Sequence, residues 1–111
     1  HLCQPLAPPV LKSLAMVIKA CRKANKPITL CGEMAGQPRA FVLLFAMGLR
    51  SFSMSPAFIP SMKELASHLT EDMGRRVLRK ALTLRTTTAV KRYMAEELAV
   101  IAPNLQMLDT A

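Results

Sequence analysis

Ile28-Thr29-Leu30-Cys31-Gly32-Glu33-Met34-Ala35-Gly36-Gln37-Pro38 decides how this chain of 111 residues is read. Ile28 to Cys31 is a continuous apolar segment, too short for a helix and without the alternation of a half-exposed strand, so a strand buried on both faces is expected. Gly32 and Gly36 bound a loop, and Pro38 suits the first position of a helix. A lone thiol, Cys31, therefore stands where a short strand ends and a βα loop begins. In folds with parallel strands, ligands and catalytic groups collect at such ends, because the loops and helix N-termini turn backbone N–H groups toward the substrate.

Upstream of that stretch, Pro5, Pro8 and Pro9 make an extended entry. Val10, Leu11, Leu14, Val17, Ile18 and Cys21 then recur at three- and four-residue steps, the pattern of an amphipathic helix. Lys12, Lys19, Arg22 and Lys23 fall largely on its other side, and Asn25-Lys26-Pro27 stops it. Downstream, Phe41 to Met47 is apolar nearly all round, which predicts burial, and Gly48 is a candidate left-handed C-cap. Phe52-Ser53-Met54 has room for only a very short strand. Ser55-Pro56 reads as N-cap and first helical position, with Pro60 restarting the chain into a helix through Leu69. The order α-β-α-β-α predicts parallel strands with crossover helices.

The remaining third is helical only. Thr70 caps a helix with Glu71 and Asp72 in its first turn, favourable for the dipole, and Val77, Leu78, Ala81 and Leu82 form its apolar stripe. Thr86 to Thr88 starts another, with Val90, Tyr93, Met94, Leu98 and Ile101 on one face, and Pro103 ends it. The fold class expected is therefore α/β and mostly helical by content. Residues 1–69 form βα units, 70–103 a helical extension and 104–111 a frayed tail, all in one segment. Two strands cannot close a sheet, and a chain that starts at His1 rather than Met is expected to be a piece of a longer one.

Composition narrows the function. Hydrophobic residues make up 51% and charged residues 20%, a globular composition. No apolar run reaches the ~20 residues of a bilayer span, and no signal peptide is recognisable, so a cytoplasmic protein is expected. Cys3, Cys21 and Cys31 are an odd set without CxxC or Cys/His spacing, which indicates neither a disulfide framework nor a zinc site. Fifteen Lys and Arg against seven Asp and Glu give a net charge of +8, suited to phosphorylated ligands, nucleic acid or acidic partners.

Cys31-Gly32-Glu33-Met34-Ala35-Gly36, with Ser53-Met54-Ser55-Pro56 after it and His1-Leu2-Cys3-Gln4-Pro5 before it, resembles the C-terminal phosphoenolpyruvate-binding barrel of the Enzyme I family. These are the phosphoenolpyruvate–protein phosphotransferases that open the bacterial sugar phosphotransferase system. The likeness runs from His1 to about residue 92. It implies that the chain is the last two βα units of a TIM-type (β/α)8 barrel plus C-terminal helices, in a kinase-like transferase that moves the phosphoryl group of phosphoenolpyruvate to a protein histidine and releases pyruvate. By resemblance Cys31 is the proton donor to the enolate, and Gly32 and Glu33 support it. The resemblance also implies Mg²⁺ whose ligands lie outside this chain, a phosphocarrier partner reached through an N-terminal domain, and a homodimer. The fragment alone is expected to be inactive.

Blander readings compete at each feature. Without the motif, Cys31 would be a buried structural thiol, and Cys21 and Cys3 keep that reading. His68, late in a helix, is expected to sit beside final carbonyls rather than to accept a phosphoryl group, and His1 stands at a chain end. Arg75, Arg76, Arg79 and Lys80 form a basic face, most simply a solvated one. The rival function is a basic helical module for nucleic acid or an acidic protein. Against nucleic acid stand the single Tyr, the absence of Trp and the lack of aromatics interleaved with the basic residues.

Overall fold

A computed structural model describes residues 6–31, with the backbone alone for Cys31, and residues 37–103. Along the chain run α1 (Pro8–Lys23), β1 (Leu30–Cys31), α2 (Pro38–Met47), β2 (Phe52–Ser53), a 3-10 turn (Pro56–Phe58), α3 (Ile59–Ser67), α4 (Glu71–Ala81) and α5 (Thr87–Ile101). The molecule is thus mostly helical, around one two-stranded sheet.

Pro8 and Pro9 occupy the first two positions of α1, where a missing N–H costs nothing, so the helix starts two residues before the expected Val10. It ends at Lys23, and just beyond it Asn25 adopts φ 57°, while the N–H of Lys26 returns to the carbonyl of Cys21 at 2.8 Å. An asparagine tolerates that left-handed conformation because its short polar side chain can bond locally. The buried seam is narrower than the expected stripe. Leu11 and Ile18 are buried, Leu14 and Cys21 are half-buried, and Val17 is 51% exposed.

The strands pair in parallel, Leu30 opposite Phe52 and Cys31 opposite Ser53, with the Leu30 N–H donating to the Ser51 carbonyl at 3.2 Å. Burial of β1 on both faces is corrected by the structure. Thr29 is exposed and shares a hydroxyl hydrogen bond with Ser51 at 2.8 Å, and Ile28 and Leu30 are half-buried. Along β2 the exposure alternates, with Ser51 and Ser53 outward and Phe52 and Met54 half-buried. Among the described residues helices cover one face of this sheet, and its other face is polar. The apolar run concealed this, because a threonine satisfies strand propensity on a wet face as well as on a dry one.

α2 lies at the centre. Pro38, Ala40, Phe41, Val42, Leu43 and Leu44 are all buried, as its all-round hydrophobicity predicts, and the helix touches α1, α3, α4 and α5. Gly48 closes it with φ 109°, the expected left-handed cap. The Phe41 ring packs tilted against Phe52 with ring centroids 4.6 Å apart, which fixes β2 to α2. α4 crosses close by: a Cβ at Gly74 would stand 3.1 Å from the Cβ of Ala46, so two small residues let the helices meet.

Ser55 precedes the 3-10 turn without a side-chain cap, and α3 begins at Ile59, one residue before Pro60. Thr70 and Thr86 do cap α4 and α5, accepting from Met73 N at 3.1 Å and Ala89 N at 3.0 Å. Val77 and Ala81 of α4 and Val90, Met94, Leu98 and Ile101 of α5 are buried against α2, while Tyr93 is half-buried. At this seam Arg76 donates to Glu97 at 3.2 Å, and the Lys80 ammonium lies 5.7 Å from the Tyr93 ring centroid. Burial raises the Tyr93 pKa above the usual tyrosine value, with Glu97 adding to the rise and Arg76 opposing it.

Two outcomes follow. Thr70→Ala and Thr86→Ala each lose one side-chain cap and should each cost about 1 kcal/mol, read as a lower thermal midpoint. The folded chain holds the Tyr93 proton more tightly than the unfolded chain does. Its contribution is therefore complete below about pH 10, the unfolded value. It is lost as pH rises through the higher folded value. Thermal melts across that alkaline window should show a smaller decline for Tyr93→Phe than for the wild type.

Candidate functional site

Connectivity orients the site. α2 joins the end of β1 to the start of β2, so the carboxyl ends of both strands lie together and the turn through Gly48 and Arg50 lies at their amino ends. Cys31 is the last residue of β1, and its register partner is Ser53, the last residue of β2. Cys31 and Ser53, the first residues of the two motif segments read from the sequence and separated by 21 intervening positions, therefore stand side by side. Gly32 and Glu33 lie outside the described residues, as do His1 and Cys3.

Around that strand end the polar groups are small. Ser53 is exposed, and the Thr29–Ser51 hydroxyl pair continues the same face one step toward the amino end, since alternate strand residues share a face. The sequence reading gave Ser53 no role of its own, and the structure puts it opposite Cys31 in the strand pair. Its signal was the parallel register, which no local pattern reveals. The opposite, helix-covered side holds an open cavity of about 460 Å³ between β2 and α3, with Phe41, Phe52, Met54, Ile59 and Met62 as its apolar wall and Lys63 at its rim. Ile59 and Phe58 are 39% and 37% exposed there, so the apolar surface at this edge is uncovered.

Among the described residues no three His, Cys, Asp or Glu side chains converge as a metal site. His68 is exposed at the C-cap of α3, where its N–H returns to the Leu65 carbonyl at 3.0 Å, and no acceptor constellation surrounds it. Cys21 is a free, half-buried thiol on α1, in keeping with a structural place.

The basic face of α4 is largely engaged within the molecule. Arg75 pairs with Asp72 and lies 3.7 Å from Glu71, Arg76 pairs with Glu97, and Lys80 leans over Tyr93. That leaves Arg79 as the cluster's outward member, which favours the solvated-face reading over a phosphate-backbone surface. No helix among the described residues is long and apolar enough to cross a membrane.

Comparison with known proteins identifies the family. A family profile described as "PEP-utilising enzyme, PEP-binding domain" matches residues 1–71. A phosphoenolpyruvate-protein phosphotransferase of Buchnera aphidicola is 40% identical over 90 residues, covering 81% of this chain and 16% of the relative. One from Cupriavidus necator is 46% identical over 68 residues, covering 61% of this chain and 12% of the relative. One from Bacillus subtilis is 34% identical over 96 residues, covering 86% and 17% respectively. The chain thus spans less than a fifth of the length of these relatives.

Proposed function

The chain belongs to the PEP-utilising enzyme family, within its PEP-binding domain, and from that premise we propose that it forms the closing βα units of a (β/α)8 barrel whose Cys31 protonates the enolate of pyruvate. The parent protein is a phosphoenolpyruvate–protein phosphotransferase. The observation that carries the reading is the placement of Cys31 at the carboxyl end of β1, in register with Ser53 at the carboxyl end of a parallel neighbour. In (β/α)8 enzymes reacting groups come from the ends of several strands on that face.

The steps balance without further reagents. The P–O bond of phosphoenolpyruvate breaks, the phosphoryl group passes to a histidine nitrogen on another part of the parent protein, and the electron pair of the cleaved bond stays on the enolate oxygen. The enolate's methylene carbon then takes the proton of the Cys31 thiol, giving pyruvate and a thiolate that regains a proton from solvent. An ordinary thiol titrates near pH 8.5, so it is mostly protonated at neutral pH and ionises readily enough to run the reverse step. Ser53, beside it in register, is suited to hold the carboxylate or enolate oxygen by hydrogen bonding. The family resemblance implies Mg²⁺, which when bound would supply positive charge against the phosphoryl group. The described residues do not fit as its ligands, so no step here runs through it.

The one-sided sheet supports the barrel reading. A barrel strand presents one face to the helix layer and one to the interior. Phe52 and Met54 take the first role, and Thr29, Ser51 and Ser53 take the second. The apolar cavity beside β2, with Phe58 and Ile59 near it, is then the edge against which the rest of the barrel packs. A phosphocarrier protein receives the phosphoryl group from the parent's histidine, and the barrel domains pair as a homodimer.

Exchange of the pyruvate methyl protons with deuterated solvent, followed by NMR on the full-length protein, tests the assignment. Cys31→Ala should slow exchange by about 100-fold or more, the range for a lost general acid. Exchange at the wild-type rate would remove Cys31 from the mechanism. The 111-residue chain alone should show no turnover of phosphoenolpyruvate, since a complete barrel takes about 250 residues. A coupled pyruvate assay detecting turnover by the isolated chain would contradict this.

A further inference from the structure

A second concavity lies at the opposite end of the strand pair from Cys31. Its volume is about 270 Å³, and three guanidinium groups from three separate elements line it: Arg22 from the last turn of α1, Arg50 from the turn between α2 and β2, and Arg75 from α4. Gly48 and Gly74 are among its remaining lining residues, and Glu71 is the one carboxylate there. We propose that this cavity binds a small phosphate-bearing anion.

The three arginines are held differently, and together they suit that ligand. Arg50 is fixed: one of its Nη atoms donates to the Phe45 carbonyl at 2.7 Å and to the Leu49 carbonyl at 2.9 Å, and its guanidinium stacks over the Phe45 ring at 3.8 Å. Its other Nη atom meets only Glu71, at 3.9 Å, too far for a hydrogen bond. Arg75 is anchored by Asp72 and lies 3.7 Å from Glu71. Glu71 is 74% exposed, so solvent screens its charge and leaves it free to swing aside. Arg22 has no ion-pair or hydrogen-bond partner among the described residues. Its side chain crosses Gly48 in the space where a Cβ would stand, so glycine at 48 serves both the left-handed turn and the path of the guanidinium.

Charge in the cavity is thus three positive against one negative. An adjoining cavity of about 310 Å³ shares Arg22 and Ala46 with it and adds Lys19. Planar guanidinium forks lining one cavity suit the several acceptor oxygens of a phosphate group better than a single carboxylate. The positive end of α4, which reaches the cavity through Thr70, adds to the same field. The adjoining space leaves room for an organic substituent on the phosphate.

Calorimetric titration of the full-length protein with inorganic phosphate and, separately, with glycerol 3-phosphate tests the proposal and distinguishes the free ion from an ester. Saturable binding of either is expected, weakened by added salt and weakened about tenfold or more in Arg22→Gln, with Arg75→Gln also weaker. Arg22 is exposed and has no partner among the described residues, so its replacement should leave the thermal midpoint unchanged. Cys31→Ala should bind as the wild type does, which separates this cavity from the chemistry assigned to the strand end. Absence of saturable binding in the wild type, or wild-type affinity in both arginine variants, would overturn the proposal.

Discussion

Burial of α2 is the constraint on which the rest depends. Val42 and Leu43 are wholly inaccessible, Phe41 and Leu44 nearly so, and each such side chain contributes roughly 1.5 to 3 kcal/mol relative to exposure. A helix apolar on every side must be surrounded, and α1, α3, α4 and α5 surround this one. Because α2 is also the connection between β1 and β2, surrounding it fixes where both strands start and stop. Cys31 stands seven residues before α2 begins, and Arg50 three residues after it ends. The helical extension of α4 and α5 is thus part of what positions the strand ends, through the close approach of Gly74 to Ala46 and the packing of Val77 and Val90 in the same core.

Features set by neighbouring residues could be read from the sequence. The left-handed Gly48, the threonine caps of α4 and α5 and the all-round burial of α2 are local consequences of φ preference, hydroxyl geometry and hydrophobic periodicity, and they stand in the structure as expected. Features set by a distant partner could not. Whether Thr29 is wet or dry depends on what covers its face of the sheet, and that face pairs it with Ser51, 22 residues away. Gly74 gave no signal, because a glycine inside a helix marks a close contact only once the facing residue is known to be Ala46. Val17 matched the periodicity of α1 and is nevertheless exposed, since the seam with α2 is narrower than the stripe the sequence offers.

The candidate site divides along the same line. Cys31 at a strand end followed from the length of its apolar segment and the glycine after it, and the structure puts it there. Its pairing with Ser53 required the parallel register, which depends on α2 being docked. Gly32 and Glu33 lie outside the described residues, so their supporting roles stand on the resemblance alone. The arginine cavity was invisible from the sequence. Arg22 read as one of several cations on the polar side of α1, and Arg50 carried no reading. Only the crossing of α1, the Gly48 turn and α4 makes neighbours of them.

The excess of eight positive charges acquires a meaning through this arrangement. Arg75, Arg76 and Lys80 look like an interaction surface on a helical wheel, yet each has a partner on its own or the adjacent helix. Such exposed pairs add little stability, with a median of about 0 to 1 kcal/mol, but they spread positive charge into a neutral mosaic. Where pairing is incomplete, the field survives, and that occurs at the amino end of the strands, around Arg22. At the carboxyl end, by contrast, the described residues put the uncharged Ser53 in register with Cys31. A thiol that must stay protonated to act as an acid is better placed away from clustered guanidinium groups, which would favour its thiolate. The separation of the cationic end from the strand end that bears Cys31 suits the proton donation proposed for that residue. It depends on α2 lying lengthwise between them.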